Sequence, residues 1–120
     1  MRFYLRPWAR AVVIGACLAF SFAAQEGAKA QGDAKAGRAK VESVCAVCHG
    51  LDGLAKIPEA PNLAGQNGNY LIAQLTAFKS RERKNEMMSV VIQDLSDSDI
   101  ENLAAYYSAI EISVGKTPSQ

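Results

Sequence analysis

A chain of 120 residues with 13 Lys/Arg, 12 Asp/Glu and one histidine carries a formal net charge of +1. That near-balance argues against a nucleic-acid binder, which carries a strong basic excess. The length allows one small domain with a thin core, a size that commonly needs a disulfide, a metal or a cofactor as a staple.

The N-terminus, Met1 to Arg10, has three arginines and no acid, and an apolar stretch runs from Ala11 to Ala24. A small-x-small site follows at Ala28-Lys29-Ala30. This order of basic, apolar and small residues predicts a secretory signal peptide over residues 1–30, cleaved before Gln31. An uncleaved anchor is the alternative, although the apolar run is near the short limit for a span. Ile14-Gly15-Ala16-Cys17 loosely resembles a lipoprotein cleavage site, but apolar residues continue past Cys17, which places that cysteine in the leader. The mature domain, 31–120, would then have nine Lys/Arg against eleven Asp/Glu, a charge of −2, and its expected location is the periplasm, membrane-attached if the leader is retained.

A first helix is predicted from Asp33 to Val44, with Gly37, Val41, Val44 and Cys48 recurring on one face. Glycine inside a helix costs about 1 kcal/mol against alanine, so Gly37 implies close approach of another element. Cys45-Ala46-Val47-Cys48-His49 follows directly. In an exported chain, C-x-x-C-H is the attachment site of a c-type haem. The Cys45 and Cys48 sulfurs would form thioethers to the haem vinyl groups, and His49 would coordinate the iron from one face. A thiol–disulfide site would sit in a βαβ pattern, which this sequence lacks. A structural zinc needs four ligands, and past the leader there are only two cysteines and one histidine. A local disulfide would leave the adjacent histidine unexplained. A haem would also provide the apolar centre that so short a domain lacks.

From Gly50 to Gly68 repeated Gly and Pro predict a loop. A second helix is expected over Asn69–Ser80, with Leu71, Leu75 and Phe78 as its apolar stripe. Arg81 to Glu86 reads as a solvated loop whose Arg81, Arg83 and Lys84 could form a basic rim that steers acidic partners. Met87-Met88 and the short apolar run to Ile92 come next. The third helix starts near Leu95–Asp99 with Ser96 as N-cap, and the acids there suit the positive end of the dipole. Its inward stripe is Ile100, Leu103, Ala104 and Tyr107, flanked by Tyr106. Gly115 and Pro118 mark a frayed tail, and no internal repeat is visible, so one haem is expected.

The sixth position of the iron separates electron transfer from ligand chemistry. No second histidine exists, which leaves Met87 or Met88 as thioether donors, or both as gap-filling core residues. An enzyme would need an open position or acid–base groups beside it, and the sequence places none there.

The chain resembles the class I cytochromes c, particularly the small bacterial monohaem type and single domains of the dihaem cytochrome c4 group. The matching residues are Gly32-Asp33-Ala34, Gly37, Val41, the motif with Gly50, Asp52-Gly53, Pro61 to Gln66, Tyr70-Leu71, Gln74-Leu75 and Phe78-Lys79. They continue with the methionine pair, Leu95-Ser96-Asp97, Asp99-Ile100 and Leu103 to Tyr106. The resemblance implies an all-α class I cytochrome c fold, three main helices with loops wrapped around one covalent haem c. It implies Met88 as distal ligand, seven residues before Leu95, with Met87 as the alternative. Pro61 matches a proline whose carbonyl accepts the histidine Nδ1–H, and Gly37 and Val41 match positions that cross the last helix near Leu103 and Tyr106. The implied function is a periplasmic one-electron carrier rather than an enzyme, with redox proteins as donor and acceptor, as a monomer or a subunit. The alternative is the haem subunit of a periplasmic dehydrogenase or oxidoreductase complex. Arg81 stands where a glycine is common and Val91 where an alanine or methionine is frequent.

Overall fold

The computed structural model describes residues 32–118; the signal peptide expected over 1–30, with Cys17, lies outside them. The described residues form helices and loops with no strand. Asp33 caps α1 (Ala34–Lys40), its Oδ1 accepting from the N–H of Lys35 at 2.8 Å and of Ala36 at 3.3 Å. The helix does not end at Val44 as expected. It widens into a π turn, Val41–Cys45, in which the Ala46 N–H reaches back to the Val41 carbonyl, and resumes as α2 (Ala46–His49). Nothing between Lys40 and His49 breaks a helix. The chain turns only at Gly50, whose φ of 74° lies in the region that favours glycine. The attachment motif is therefore helical itself.

Helix α3 (Gly68–Lys79) begins one residue earlier than its apolar stripe suggests, because the Asn67 side chain accepts from the Tyr70 N–H and caps it. The short helix α4 (Met88–Val91) is a single turn that periodicity is too brief to reveal. Helix α5 (Asp97–Ser108) starts with a capping box: Ser96 Oγ accepts from the Asp99 N–H while the Asp99 carboxylate accepts from the Ser96 N–H. These bonds, and then Lys40, hold the Asp99 carboxyl below its usual range.

Helix α5 packs across α1 on one side and α3 on the other. Its stripe is as expected: Ile100 and Leu103 are each 2% exposed, Tyr107 3% and Ala104 fully buried. Val41 of the π turn and Ile92 beyond α4 are fully buried against it, and Leu71 and Phe78 close the core from α3. The crossing of α1 over α5 is very close. A Cβ at Gly37 would overlap the Asn102 carbonyl and press on Tyr106 Cβ. This accounts for a glycine inside α1 despite its helical cost.

Arg81, just beyond the α3 cap residue Ser80, has φ 64° and is the only non-glycine at positive φ among the described residues. A helix is commonly ended there by glycine; here an arginine adopts the glycine conformation. Gly37→Ala is expected to lower stability by about 1–3 kcal/mol through overpacking. Arg81→Gly is expected to raise it by about 0.5–1 kcal/mol, the left-handed cost less the extra chain entropy of glycine. Denaturant midpoints of the two variants, moving in opposite directions, check both.

Candidate haem site

His49 is buried, 7% exposed. Its Nδ1 lies 3.0 Å from the Pro61 carbonyl oxygen. A carbonyl only accepts, so Nδ1 carries the proton and donates it, leaving the Nε2 lone pair as the free donor of the ring. Pro61 is brought there by the loop after the motif. Gly53 is buried at φ 71° with Ala64 packed against its α-carbon, and its carbonyl accepts from the N–H groups of Leu63 at 2.8 Å and Ala64 at 3.1 Å. Asn62 Oδ1 accepts from the Ala55 N–H at 2.8 Å, and the Lys56 N–H donates to the Cys48 carbonyl at 2.8 Å. Asp52 holds the inside of the turn, accepting from the Leu54 N–H at 3.0 Å and Lys56 Nζ at 2.9 Å. The Lys56 side chain, and then the Leu54 N–H, keep its carboxyl below the usual range.

Helix α5 fastens this loop from behind. The Tyr107 hydroxyl donates to the Gly50 carbonyl at 3.2 Å, the Tyr106 hydroxyl donates to the Leu51 carbonyl at 2.8 Å, and the Gly65 N–H donates to the Tyr107 carbonyl at 2.9 Å. Burial pushes the Tyr107 hydroxyl well above its ordinary pKa, so it stays a donor. Sequence reasoning placed Tyr107 in the core and Tyr106 beside it without seeing that both hold the residues just after the motif. Their shared signal is a phenol at two consecutive positions of an otherwise aliphatic stripe.

Cys45 and Cys48 are free and half-buried, three positions apart in one continuous helical run. Burial pushes the Cys45 thiol up to about 11; Lys40 partly opposes this and Cys48 adds to it. A reactive or metal-binding cysteine needs the opposite shift, towards thiolate. Met88 is half-buried and packs against the same core cluster as Cys45, whereas Met87 is 63% exposed. Leu51, Leu63, Ile72 and Leu75 also pack on this cluster with part of their surface uncovered. These residues suit a covalently held haem: two free cysteines one turn apart, one imidazole with a free Nε2, one half-buried thioether, and an apolar lining.

The expected basic rim is only partly present. Arg83 folds back on α3, donating to Gln74 Oε1 at 2.6 Å with its guanidinium 4.6 Å from the Phe78 ring centroid. Arg81 and Lys84 are the exposed cations that remain, beside Glu86 and Val90.

The model of the family described as "Cytochrome C oxidase, cbb3-type, subunit III" matches residues 32–106. The chain belongs to the class I cytochrome c family. It is 43% identical over 88 residues to cytochrome c4 of Pseudomonas aeruginosa, a match covering 73% of this chain and 43% of that protein. It is 43% identical over 83 residues to cytochrome c-554(548) of Halomonas halodenitrificans, covering 67% of this chain and 99% of that protein. The solved structure of reduced recombinant cytochrome c4 from Pseudomonas stutzeri superposes with a TM-score of 0.63 at 42% identity, over 70% of this chain and 48% of that one. The chain thus spans less than half the length of these cytochrome c4 relatives. The all-α class I fold expected from the sequence is the fold observed. With the C-x-x-C-H motif, family membership gives this class I cytochrome c one covalent haem c.

Tyr107→Phe leaves the buried Gly50 carbonyl with one donor fewer, and is expected to cost about 1–3 kcal/mol. Tyr106→Phe frees a carbonyl closer to water and is expected to cost about 1 kcal/mol. Denaturant unfolding of the haem-loaded variants gives both numbers.

Proposed function

We propose that this cytochrome c is a periplasmic one-electron carrier, anchored to its haem through Cys45 and Cys48, with His49 and Met88 as the two axial donors. The haem, when bound, supplies the Fe(III)/Fe(II) couple. One observation carries the reading: a buried imidazole is locked by a carbonyl, and a half-buried thioether packs on the core cluster that also takes Cys45, four residues before that imidazole. Electron transfer breaks no bond to a substrate, so a pair of donors that closes both faces suits it, whereas peroxide or small-ligand chemistry needs an open position. The Pro61 carbonyl does two things for His49. It fixes the ring, which limits movement between oxidation states, and it raises the basicity of Nε2. A thioether on the other face favours the reduced iron relative to a second imidazole and so raises the potential.

The exposure of Met87, against the packing of Met88, supports Met88 as the donor. Export by the leader over residues 1–30 would deliver the chain to the periplasm, with redox proteins as its donor and acceptor. Among the described residues no helix is long and apolar enough to cross a membrane.

The visible and near-infrared spectrum of the matured protein tests the ligand set. Met88→Ala is expected to lose the methionine–iron charge-transfer band, and Met87→Ala to keep it. The reduced native protein is expected to bind carbon monoxide slowly, and Met88→Ala rapidly. Rapid binding by the native protein would overturn the carrier reading.

A further inference from the structure

Every residue from Arg81 to Met87 is exposed, so burial does not hold the segment that delivers Met88. Local hydrogen bonds do, and they converge on Asn85. Its Oδ1 accepts from the Met87 N–H and from the Met88 N–H, each at 3.0 Å. Its own N–H donates to Ser89 Oγ at 3.0 Å, and its carbonyl accepts from the Ser89 N–H at 2.9 Å. The side chain therefore satisfies two of the N–H groups that a helix start leaves without partners, while Ser89 closes the ring in return. Helix α4 is only one turn long, far below the length at which a helix sustains itself. Only Glu86 and Met87 lie between Asn85 and Met88, which leaves little slack between them.

The start of the same loop is tied elsewhere. The Arg83 N–H donates to the Ala77 carbonyl at 2.9 Å and its guanidinium is held by Gln74 and Phe78. Lys84 alone bridges that tie to Asn85. The loop is thus fastened to α3 at Arg83 and to the Met88 turn at Asn85. On the α4 side the Asn85 side chain is what orders the main chain of the two methionines.

We propose that Asn85 is a positioning residue for the axial thioether, its side chain and Ser89 together fixing the backbone from which the Met88 sulfur reaches the iron. The inference rests on Met88 being the distal donor. Its consequence is an equilibrium between a state with the sulfur in place and a state with it released, in which the cap is formed only in the first. Removing the cap shifts that equilibrium by the factor that loss of one side-chain cap ordinarily brings, about fivefold.

Imidazole added to the ferric haem-loaded protein binds where the Met88 sulfur has left, so its apparent affinity reads the released fraction. In Asn85→Ala the apparent affinity should rise about fivefold. Asn85→Asp keeps an acceptor oxygen and should return to within about twofold of native. Ser89→Ala, which removes the acceptor of the Asn85 N–H, should raise it about twofold to threefold, and it carries the test should Asn85→Ala fail to mature. An Asn85→Ala protein with the methionine–iron band and native imidazole affinity overturns the inference and leaves Met88 as ligand. A lower denaturant midpoint with unchanged imidazole affinity marks a merely structural cap and overturns it equally. If the band survives in Met88→Ala, the ligand reading itself fails and the inference falls with it.

Discussion

The close crossing of α1 over α5 is the constraint on which the site depends. At Gly37 the α1 backbone lies against the Asn102 carbonyl and Tyr106 Cβ, and the Asp33 N–H donates to Asn102 Oδ1 at 2.7 Å. Lys40 and Asp99 pair at 3.2 Å further along. This approach does more than bury Val41 against Leu103. It fixes the distance between the helix that carries the cysteines and the helix whose last turn carries Tyr106 and Tyr107. Those two phenols can hold the carbonyls of Gly50 and Leu51 only because α1 cannot stand further off. Any side chain at residue 37 therefore acts on the attachment motif, although it touches none of its residues.

From this crossing the rest of the site follows in sequence. The π turn at Val41–Cys45 carries the helix on to His49 with one extra residue in the turn, which sets how Cys45 and Cys48 face the core. Gly50 then reverses the chain, and the Gly53 carbonyl gathers Leu63 and Ala64. Pro61 returns to the imidazole as a result of that gathering. Hydrogen bonds do most of this ordering, since Leu54, Ile57 and Pro61 are exposed and bury little. A loop with few apolar contacts keeps one shape when its carbonyls and amides are paired internally rather than with water.

How much of this could be read beforehand depended on the kind of interaction. C-x-x-C-H and the stripe of α5 were legible because spacing itself is the signal. Ser96 with Asp99 was legible because the cap residue and the acids precede a periodic apolar run. The Pro61–His49 bond came only through resemblance, since no local rule links residues twelve apart through a carbonyl. Asn85 escaped notice because its bonds run from side chain to main chain within five residues and leave no hydrophobic period. Arg83 was read as a free charge, as arginines in polar loops usually are; its stacking on Phe78 depends on α3 having ended just before it. Arg81 was noticed as a departure from glycine. Its left-handed backbone explains why glycine is the ordinary choice there.

The two faces of the proposed iron site are held in different ways, and the difference has a direction. On the His49 side, a buried ring is fixed by a carbonyl, and the residues next to it are fixed by two phenols from α5. On the Met88 side, a one-turn helix is held by its own cap at the end of an exposed loop. Stability is uneven in this way across most structures, with exposed hydrogen-bonded turns opening long before core helices. In the proposed ligand set the thioether would then be the donor that leaves first under heat, denaturant or a competing ligand, while the imidazole would stay. With that ligand set, a rigid proximal side and a locally capped distal side would keep the iron closed for electron transfer and confine any opening to a few residues around Asn85.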